Sequence, residues 1–277
     1  MAELSGSWAL VTGASRGIGR SLVMSLARRG MSVVGVARSE LLLQNIGQQV
    51  QALGGQFVAV VLDLAEVDAA QSLVKQLVAQ GLDKKLRVVC MNAAVNAAGS
   101  FELMPLAAYE RLLALNVIFP MQFIHRIIPC LKEHQSSYVV MFSSQAAIMP
   151  VPWMAVYAAS KGFIHQLSLA LSYEYASTNI KFLTVIPAHS ETSANDAIEL
   201  TSDLRQRIQK GQPPDKIAEL IASGLGRNVS SVVSNVPGLL LFRAFVGLAP
   251  LPFVVRCAGK MFAMFRGQSF FEKPKLP

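Results

Sequence analysis

The 277-residue sequence has little charge and little cysteine. Charged residues make up 15% of the chain and apolar residues 52%, a balance that excludes an intrinsically disordered protein and predicts a sizeable buried core. The three cysteines, Cys90, Cys130 and Cys257, are widely spaced and odd in number, which fits neither a disulfide framework nor a zinc site. We therefore expect a protein of a reducing compartment with no metal site.

The N-terminus lacks the basic region followed by an apolar core that marks a signal peptide, so we expect a cytoplasmic protein. The net charge of +8 raises the question of a polyanionic partner. In residues 227–277, seven Lys or Arg stand against one acid, Glu272, which gives a net +6. These charges lie in an apolar tail without a reading helix or an aromatic platform, so we expect no nucleic-acid binding.

Short β-branched runs alternate with longer helical patterns along most of the chain. The strand-like runs are residues 8–12, 32–37, 56–62, 86–91, 138–142 and 181–186, with helices predicted from about Gly17, Ser39 and Glu66. This alternation predicts an α/β fold with a doubly wound parallel sheet, a three-layer αβα arrangement of Rossmann type. We predict one domain at residues 1–226 and an apolar, basic, helical C-terminal extension at 227–277.

A glycine-rich turn follows the first predicted strand and leads into a predicted helix. Residues 12–19 read Thr-Gly-Ala-Ser-Arg-Gly-Ile-Gly. Glycines in such a turn let the backbone approach a pyrophosphate, whose charge is met by the free N–H groups of the helix start. A plain tight turn is the alternative, and the position between a strand and a helix weighs against it.

The second predicted strand lacks, at its end, the acid that would bind the ribose hydroxyls of NAD. Arg38 stands there instead, and Arg16 lies in the glycine-rich turn, so two guanidinium groups could pair with the 2'-phosphate of NADP. Two solvated surface arginines are the alternative. Asp63, at the end of the third strand, could accept a hydrogen bond from an adenine amino group or could cap a helix.

Tyr157 and Lys161 stand four residues apart, which places a phenol and an ammonium on one helix face. A neighbouring cation favours the ionised phenol, so the pair could bring a tyrosine pKa of about 10 down toward neutrality. Ser143 and Ser144, at the end of the fifth strand, could place a hydroxyl against a substrate oxygen, although serines are common in loops. Asn116 is unusual in an apolar helix, because a buried amide requires partners.

Together these residues resemble the short-chain dehydrogenase/reductase family over about residues 5–225. The glycine-rich turn, Arg38, Asp63, the segment Asn92-Ala93-Ala94, Asn116, Ser144, Tyr157, Lys161 and Pro187 to Thr192 follow the family's order and spacing. The resemblance implies a catalytic tetrad in which Tyr157 transfers the proton, Ser144 positions the carbonyl, Lys161 lowers the phenol pKa and binds the ribose, and Asn116 supports a water.

The resemblance also implies NADP(H) as the cofactor. The residues that it predicts to bind the cofactor are Gly13, Ser15, Arg16, Gly17, Ile18, Gly19, Arg38, Asp63, Leu64, Asn92, Ala93, Tyr157, Lys161, Ile186 and Thr192. Two positions depart from the family pattern, because Ala94 and Ala188 stand where the family has glycine. These alanines restrict the backbone near the cofactor, so we expect them to affect the efficiency of the enzyme more than the reaction that it catalyses.

The apolar tail and the segment Ser-Ser-Gln-Ala at 143–146 are similar to those of reductases of 3-ketosphinganine, long-chain 3-oxoacyl groups and hydroxysteroids. The expected substrate is therefore a hydrophobic carbonyl compound or alcohol. The tail fits a membrane interface, through basic and apolar residues at 256–266, as well as packing against the protein itself. Family members commonly form dimers or tetramers. The alternative function is a non-catalytic NADP(H)-binding sensor or scaffold.

Overall fold

A computed structural model describes residues 4–187, 212–227, 231–233, 244 and 246–264, with side chains in the last range described through residue 260. The β-strands are β1 (Trp8–Thr12), β2 (Ser32–Ala37), β3 (Phe57–Val61), β4 (Leu86–Met91), β5 (Ser137–Phe142), β6 (Ile180–Ile186) and β7 (Ser231–Val233). The α-helices are α1 (Gly17–Ala27), α2 (Glu40–Ala52), α3 (Ala69–Ala79), α4 (Leu106–Leu113), α5 (Phe119–Leu131), α6 (Ala155–Glu174), α7 (Pro214–Gly224) and α8 (Leu251–Met264).

The seven strands form one parallel sheet in the order β3-β2-β1-β4-β5-β6-β7. This arrangement confirms the predicted Rossmann-type fold. The order runs in opposite directions from β1, which creates a crevice outside the carboxyl ends of β1 and β4. β7 pairs with β6 and lies beyond the boundary predicted at residue 226, so the sheet continues to Val233.

Two apolar clusters lie on opposite faces of the sheet, which accounts for the nearly continuous apolar strands. On one face, α1, α2 and α7 pack onto the sheet through side chains such as Leu22, Ile46 and Ile221. On the other face, α3, α5 and α6 do the same through side chains such as Leu73 and Phe123. The central strands are therefore buried on both sides, and this rigid support holds the strand ends in place.

The start of helices α2 and α3 and a π-helical turn between α4 and α5 set the positions of residues around the site. Ser39 caps α2 by accepting a hydrogen bond from the amide of Leu42 at 3.5 Å. α3 begins at Ala69 rather than at the predicted Glu66. α4 continues through a π-helical turn at Ala114–Ile118 into α5, and Asn116 lies in that turn. Such turns often occur at functional sites, since the extra residue redirects the side chains that follow.

Among the described residues, one helical stretch, Leu106–Leu131, is long and apolar enough to cross a membrane by length and composition. This is weak evidence, because core helices meet the same criterion. Phe123 and Ile127 of this stretch are fully buried within the cluster formed with α3 and α6. Its inner face is therefore that of a core helix.

In its described part, the C-terminal helix α8 packs on the domain along one face. Val254 and Ala258 are buried, and a Cβ atom at Gly259 would lie 3.5 Å from both Pro152 and Trp153. Leu248 and Leu251, at the start of this segment, are exposed. Pro252 lies at the second position of the helix, where a proline costs no hydrogen bond, so it does not interrupt the helix.

Candidate active site

A cleft of about 870 Å³ opens at the carboxyl ends of the central strands. Most residues that the sequence predicted for the cofactor lie around it: Gly13, Ser15, Arg16, Gly17, Ile18, Arg38, Asp63, Leu64, Asn92, Ala93, Tyr157 and Lys161. The parallel topology explains this convergence, because the loops after β1, β2, β3, β4 and β5 all leave the same edge of the sheet.

The glycine-rich turn between β1 and α1 is built too tightly for larger residues. Gly13 has φ +65°, in the left-handed region, and a Cβ atom there would lie 2.9 Å from Nδ2 of Asn92. A Cβ atom at Gly19 would lie 2.1 Å from the carbonyl oxygen of Gly13. The side chain of Arg16, at the N-terminus of α1, makes no capping hydrogen bond. The first N–H groups of α1 are therefore left for an anion in the cleft.

Asn92 ties the ends of the two central strands together. Its Nδ2 atom donates to the carbonyl oxygen of Thr12 at 2.9 Å and to that of Gly13 at 3.3 Å. The amide of Ala93 donates to Oγ1 of Thr12 at 3.0 Å. The glycine-rich turn is thus fixed to the end of β4.

Arg16 and Arg38 are both exposed and both line the cleft. Asp63 lines it as well, and its Oδ2 atom is paired with Nη2 of Arg111 at 2.6 Å. Burial alone would raise the pKa of Asp63, but hydrogen bonds from Arg111 and from the amide of Ala65, with the charges of Arg111 and Arg38, lower it. Asp63 is therefore an ionised acceptor among cations.

The side chain of Ser144 lies beside the phenol of Tyr157 and favours its ionised form. The Oγ atom of Ser144 also accepts a hydrogen bond from the amide of Ala146 at 3.1 Å, which fixes its position. Burial raises the pKa of Tyr157, and the nearby hydroxyl of Ser144 offsets part of that rise. The expected lowering of the phenol pKa is thus not produced by the protein's own groups, and Tyr157 is protonated at neutral pH.

Lys161 is buried behind Tyr157, with its Nζ atom 5.9 Å from the centre of the phenol ring. Nζ donates to the carbonyl oxygen of Phe142 at 2.9 Å. Burial lowers the pKa of Lys161 to about 8, because the charged form is poorly solvated there. Ser143 donates to the backbone carbonyl of Lys161, so it supports the lysine while Ser144 contacts the tyrosine.

Asn116 is buried and fully engaged as a donor. Its Nδ2 atom donates to the carbonyl oxygen of Val95 at 2.9 Å and to Oγ of Ser160 at 3.2 Å, and its Oδ1 atom accepts from the amide of Val95 at 3.0 Å. The amide therefore joins the loop after β4 to helix α6. Its side chain can only accept a further bond, so the predicted support of a water remains a prediction.

Some predicted positions lie elsewhere. Ile186 is buried at the end of β6, next to Pro187, which lines the cleft. Gly19 supports the turn from within helix α1, as its close contact with Gly13 shows. Thr192 and Ala188 lie outside the described residues. Ala94, the other departure from the family's glycines, lines the cleft.

Arg111 and Asn96 are polar residues that line the cleft and that the sequence did not assign to the site. Arg111 lies on α4, and its pairing with Asp63 across 48 positions left no local signal. Asn96 lies in the loop that Asn116 holds, and its Oδ1 atom is buried with no hydrogen-bond partner among the described residues. The one signal in the sequence was that Asn96 follows Asn92 by four residues in the loop after β4, so both could reach the same cleft.

A second, smaller chamber of about 240 Å³ was also missed. It lies between the loop after β4 and the start of α6, and the two sides are joined by a hydrogen bond from the amide of Gly99 to the carbonyl oxygen of Trp153 at 2.8 Å. Its lining is largely apolar and aromatic: Gly99, Ser100, Phe101, Glu102, Tyr109, Pro152, Trp153 and Ala155.

The family's sequence profile, described as short chain dehydrogenase, matches residues 7–203. The chain therefore belongs to the short-chain dehydrogenase family, and it is an oxidoreductase.

Several curated relatives support the same assignment. A short chain dehydrogenase of Pseudocercospora fijiensis is 30% identical over 72% of this chain and 66% of that protein, just under two thirds of its length. A 7beta-hydroxysteroid dehydrogenase of Clostridium sardiniense is 30% identical over 64% of this chain and 67% of that protein. The ketoacyl reductase HetN of a Nostoc species is 27% identical over 85% of this chain and 80% of that protein.

Among solved structures, a metagenomic short-chain oxidoreductase in complex with NADP is 27% identical, with a TM-score of 0.68. The match covers 83% of this chain and 97% of that one. This likeness agrees with the family assignment.

Proposed function

We propose that the protein is an NADP(H)-dependent oxidoreductase that transfers a hydride between nicotinamide and a carbonyl or secondary alcohol of a hydrophobic, lipid-like substrate. One observation carries the proposal. The side chains of Tyr157 and Ser144 lie next to each other, and Tyr157 and Lys161 both line the cleft, with Nζ of Lys161 held by the carbonyl oxygen of Phe142. A phenol, a hydroxyl and an ammonium in this arrangement can hold a carbonyl oxygen and move a proton to it.

The cleft fits a dinucleotide by its chemistry. Gly13 and Gly19 leave room where a Cβ atom would collide, and the start of α1 offers N–H groups for a pyrophosphate. Arg16 and Arg38 line the cleft, and two guanidinium groups suit a 2'-phosphate better than free ribose hydroxyls. The related NADP complex favours the same cofactor. When bound, NADPH supplies the hydride.

The protonation state of Tyr157 favours reduction at neutral pH. Burial raises its pKa, so the phenol holds the proton that a developing alkoxide needs. Ser144 would place the carbonyl oxygen beside the phenol. Lys161 uses one of its three N–H groups on Phe142, which leaves two for a ribose hydroxyl. Oxidation of an alcohol would require the ionised phenol and should therefore need higher pH.

The aromatic chamber beside the catalytic helix supports a hydrophobic substrate. Phe101 and Tyr109 stack at 5.4 Å within its wall. Trp153 has φ 61°, a left-handed conformation that costs about 1–3 kcal/mol for a bulky residue and is often found at ligand sites. The relatives named for ketoacyl and hydroxysteroid chemistry favour the same class. A 3-keto lipid such as 3-ketosphinganine, a 3-oxoacyl group or a steroid are the candidates within it.

The non-catalytic alternative has no comparable support. Its motivation is the replacement of two family glycines by Ala94 and Ala188. Tyr157, Ser144 and Lys161 nevertheless lie side by side, with Nζ of Lys161 5.9 Å from the centre of the Tyr157 ring. Substitutions beside an assembled proton-transfer centre do not remove its chemistry.

We also propose that the enzyme is cytoplasmic, and two exposed surfaces support proposals about its assembly and its contact with membranes. Four apolar side chains are partly exposed: Leu113, Ile118 and Met121 on the α4–α5 stretch and Phe163 on α6. We propose that a second copy of the chain covers them in a homodimer or homotetramer.

The exposed residues Leu248 and Leu251 lie on the same segment as the exposed Arg256 and Lys260. We propose peripheral contact of this segment with an anionic membrane.

Substitution Tyr157→Phe tests the enzymatic proposal. With NADPH and a series of ketones of increasing apolar length, we expect kcat to fall by about 10²–10⁴-fold. Affinity for NADPH, measured by its fluorescence, should change little. Tyr173→Phe is the matched control, since Tyr173 lies on the same helix and is 85% exposed. Equal turnover in wild type and Tyr157→Phe would refute the assigned role.

A further inference from the structure

Arg111 and Asp63 form an ion pair inside the proposed cofactor cleft. Arg111 lies on α4, and Asp63 lies two residues beyond the end of β3, so the pair links two elements that are distant in sequence. Nη2 of Arg111 is 2.6 Å from Oδ2 of Asp63, and Oδ1 of Asp63 accepts a hydrogen bond from the amide of Ala65 at 3.1 Å. Both side chains are partly exposed and line the cleft.

From this geometry we infer that Arg111 is a positioning residue for the cofactor's adenine ring, acting through Asp63. The inference rests on the proposed NADP(H) binding. A carboxylate has about four acceptor positions, and Arg111 and Ala65 occupy one on each oxygen. The remaining positions are left for a donor in the cleft, and the 6-amino group of adenine is the donor that NADPH offers.

Arg111 has a second effect, because Asp63 lies among competing cations. The charge of Arg38 also acts on Asp63. A carboxylate held only by the amide of Ala65 could turn toward Arg38 and neutralise it. By pairing with Asp63 from the other side, Arg111 holds the carboxylate away from Arg38 and leaves Arg38 for a phosphate.

The decisive probe is NADPH against its deamino analogue, in which hypoxanthine replaces adenine and a carbonyl oxygen replaces the 6-amino group. An acceptor fixed at that point favours the amino group and repels the carbonyl. We expect wild type to bind NADPH about tenfold more tightly than the analogue, as measured by fluorescence titration without substrate. In Arg111→Met the two dissociation constants should become nearly equal.

Arg126→Met is the matched control, because it removes an exposed guanidinium from the following helix, α5, and should keep the tenfold preference. Arg111→Lys should restore part of it. Circular dichroism checks that each variant is folded. If Arg111→Met does not fold, the single variants Asp63→Asn and Arg111→Lys decide the question. Each should reduce the preference for NADPH over the deamino analogue below that of wild type.

The outcomes separate this inference from the proposed function. A wild type that binds neither nucleotide would refute NADP(H) binding itself. A wild type that binds both equally, or an Arg111→Met variant that keeps the tenfold preference, would overturn the role of Arg111 while leaving the proposed function in place.

Discussion

The ammonium of Lys161 donates a hydrogen bond to the carbonyl oxygen of Phe142 over 2.9 Å, at the buried end of β5. The lysine is 5% exposed, and burial lowers its pKa from 10.5 to about 8. A cation that the proposed catalytic centre requires is therefore held at a cost in stability. That cost has a pH dependence that can be measured.

Between about pH 8 and 10.5, the unfolded chain binds more protons at Lys161 than the folded chain does. The contribution of Lys161 to stability therefore rises with pH across this window. In Lys161→Met this contribution is absent. We expect the free energy of unfolding of wild type, relative to Lys161→Met, to rise by about 3 kcal/mol from pH 7 to pH 10.5 in urea denaturation. A difference that is constant with pH would contradict the assigned burial.

The contact between Gly19 and Gly13 makes a prediction about stability and binding together. A Cβ atom at Gly19 would lie 2.1 Å from a backbone oxygen that cannot move without disturbing the end of β1. We expect Gly19→Ala to destabilise the protein by about 1–3 kcal/mol or more and to weaken NADPH binding, as measured by thermal unfolding and titration.

Gly162→Ala is the control for that substitution. Its added Cβ atom would meet no atom closer than 3.9 Å, and the residue lies inside helix α6. The same chemical change should there stabilise the protein by about 0.5–1 kcal/mol, because alanine loses less backbone entropy in a helix. Equal effects at the two sites would mean that the turn is not tightly packed.

Arg38 should decide between the two nicotinamide cofactors. If its guanidinium pairs with the 2'-phosphate, Arg38→Gln should raise the dissociation constant for NADPH by about 10- to 100-fold. Binding of NADH, which lacks that phosphate, should change little and serves as the internal control. Equal losses of affinity for both cofactors would show that Arg38 supports the cleft without contacting the 2'-phosphate.

The strands could be predicted closely from the sequence because their physical signal is local. Runs of β-branched residues buried on both faces are distinctive, and each of the six predicted strands agrees with the structure to within one residue at each end. The start of α3 was less well predicted. The amide of Ala65 bonds to the side chain of Asp63, and the amide of Glu66 bonds to its backbone, so a turn delays the helix to Ala69.

The parts of the site that could not be predicted depend on contacts between distant segments. Arg111 looks like an ordinary helical surface charge until the fold brings it to Asp63. Asn116 makes two hydrogen bonds with the backbone of Val95 from a π-helical turn, and no local pattern in the sequence indicated that turn. The direction of the Tyr157 pKa shift depends on burial, whereas sequence spacing revealed only the neighbouring lysine.

The segment before and within α8 makes a prediction about membranes. Leu248 is 88% exposed and Leu251 is 55% exposed, while Val254 and Ala258 on the inner face are buried. Exposed Arg256 and Lys260 lie on the same segment, so apolar and basic side chains could contact an anionic surface together. We expect the protein to float with phosphatidylserine-containing vesicles and much less with pure phosphatidylcholine vesicles, and the binding to weaken at high salt.

Leu248→Glu combined with Leu251→Glu should reduce this flotation several-fold, because charges replace the apolar contacts. Val67→Glu is the matched control, since Val67 is 87% exposed on another part of the surface. Val67→Glu should float as wild type does. Flotation that the paired substitution leaves unchanged would place any membrane contact elsewhere on the protein, and α8 would then serve only to pack against the loop at Pro152 and Trp153.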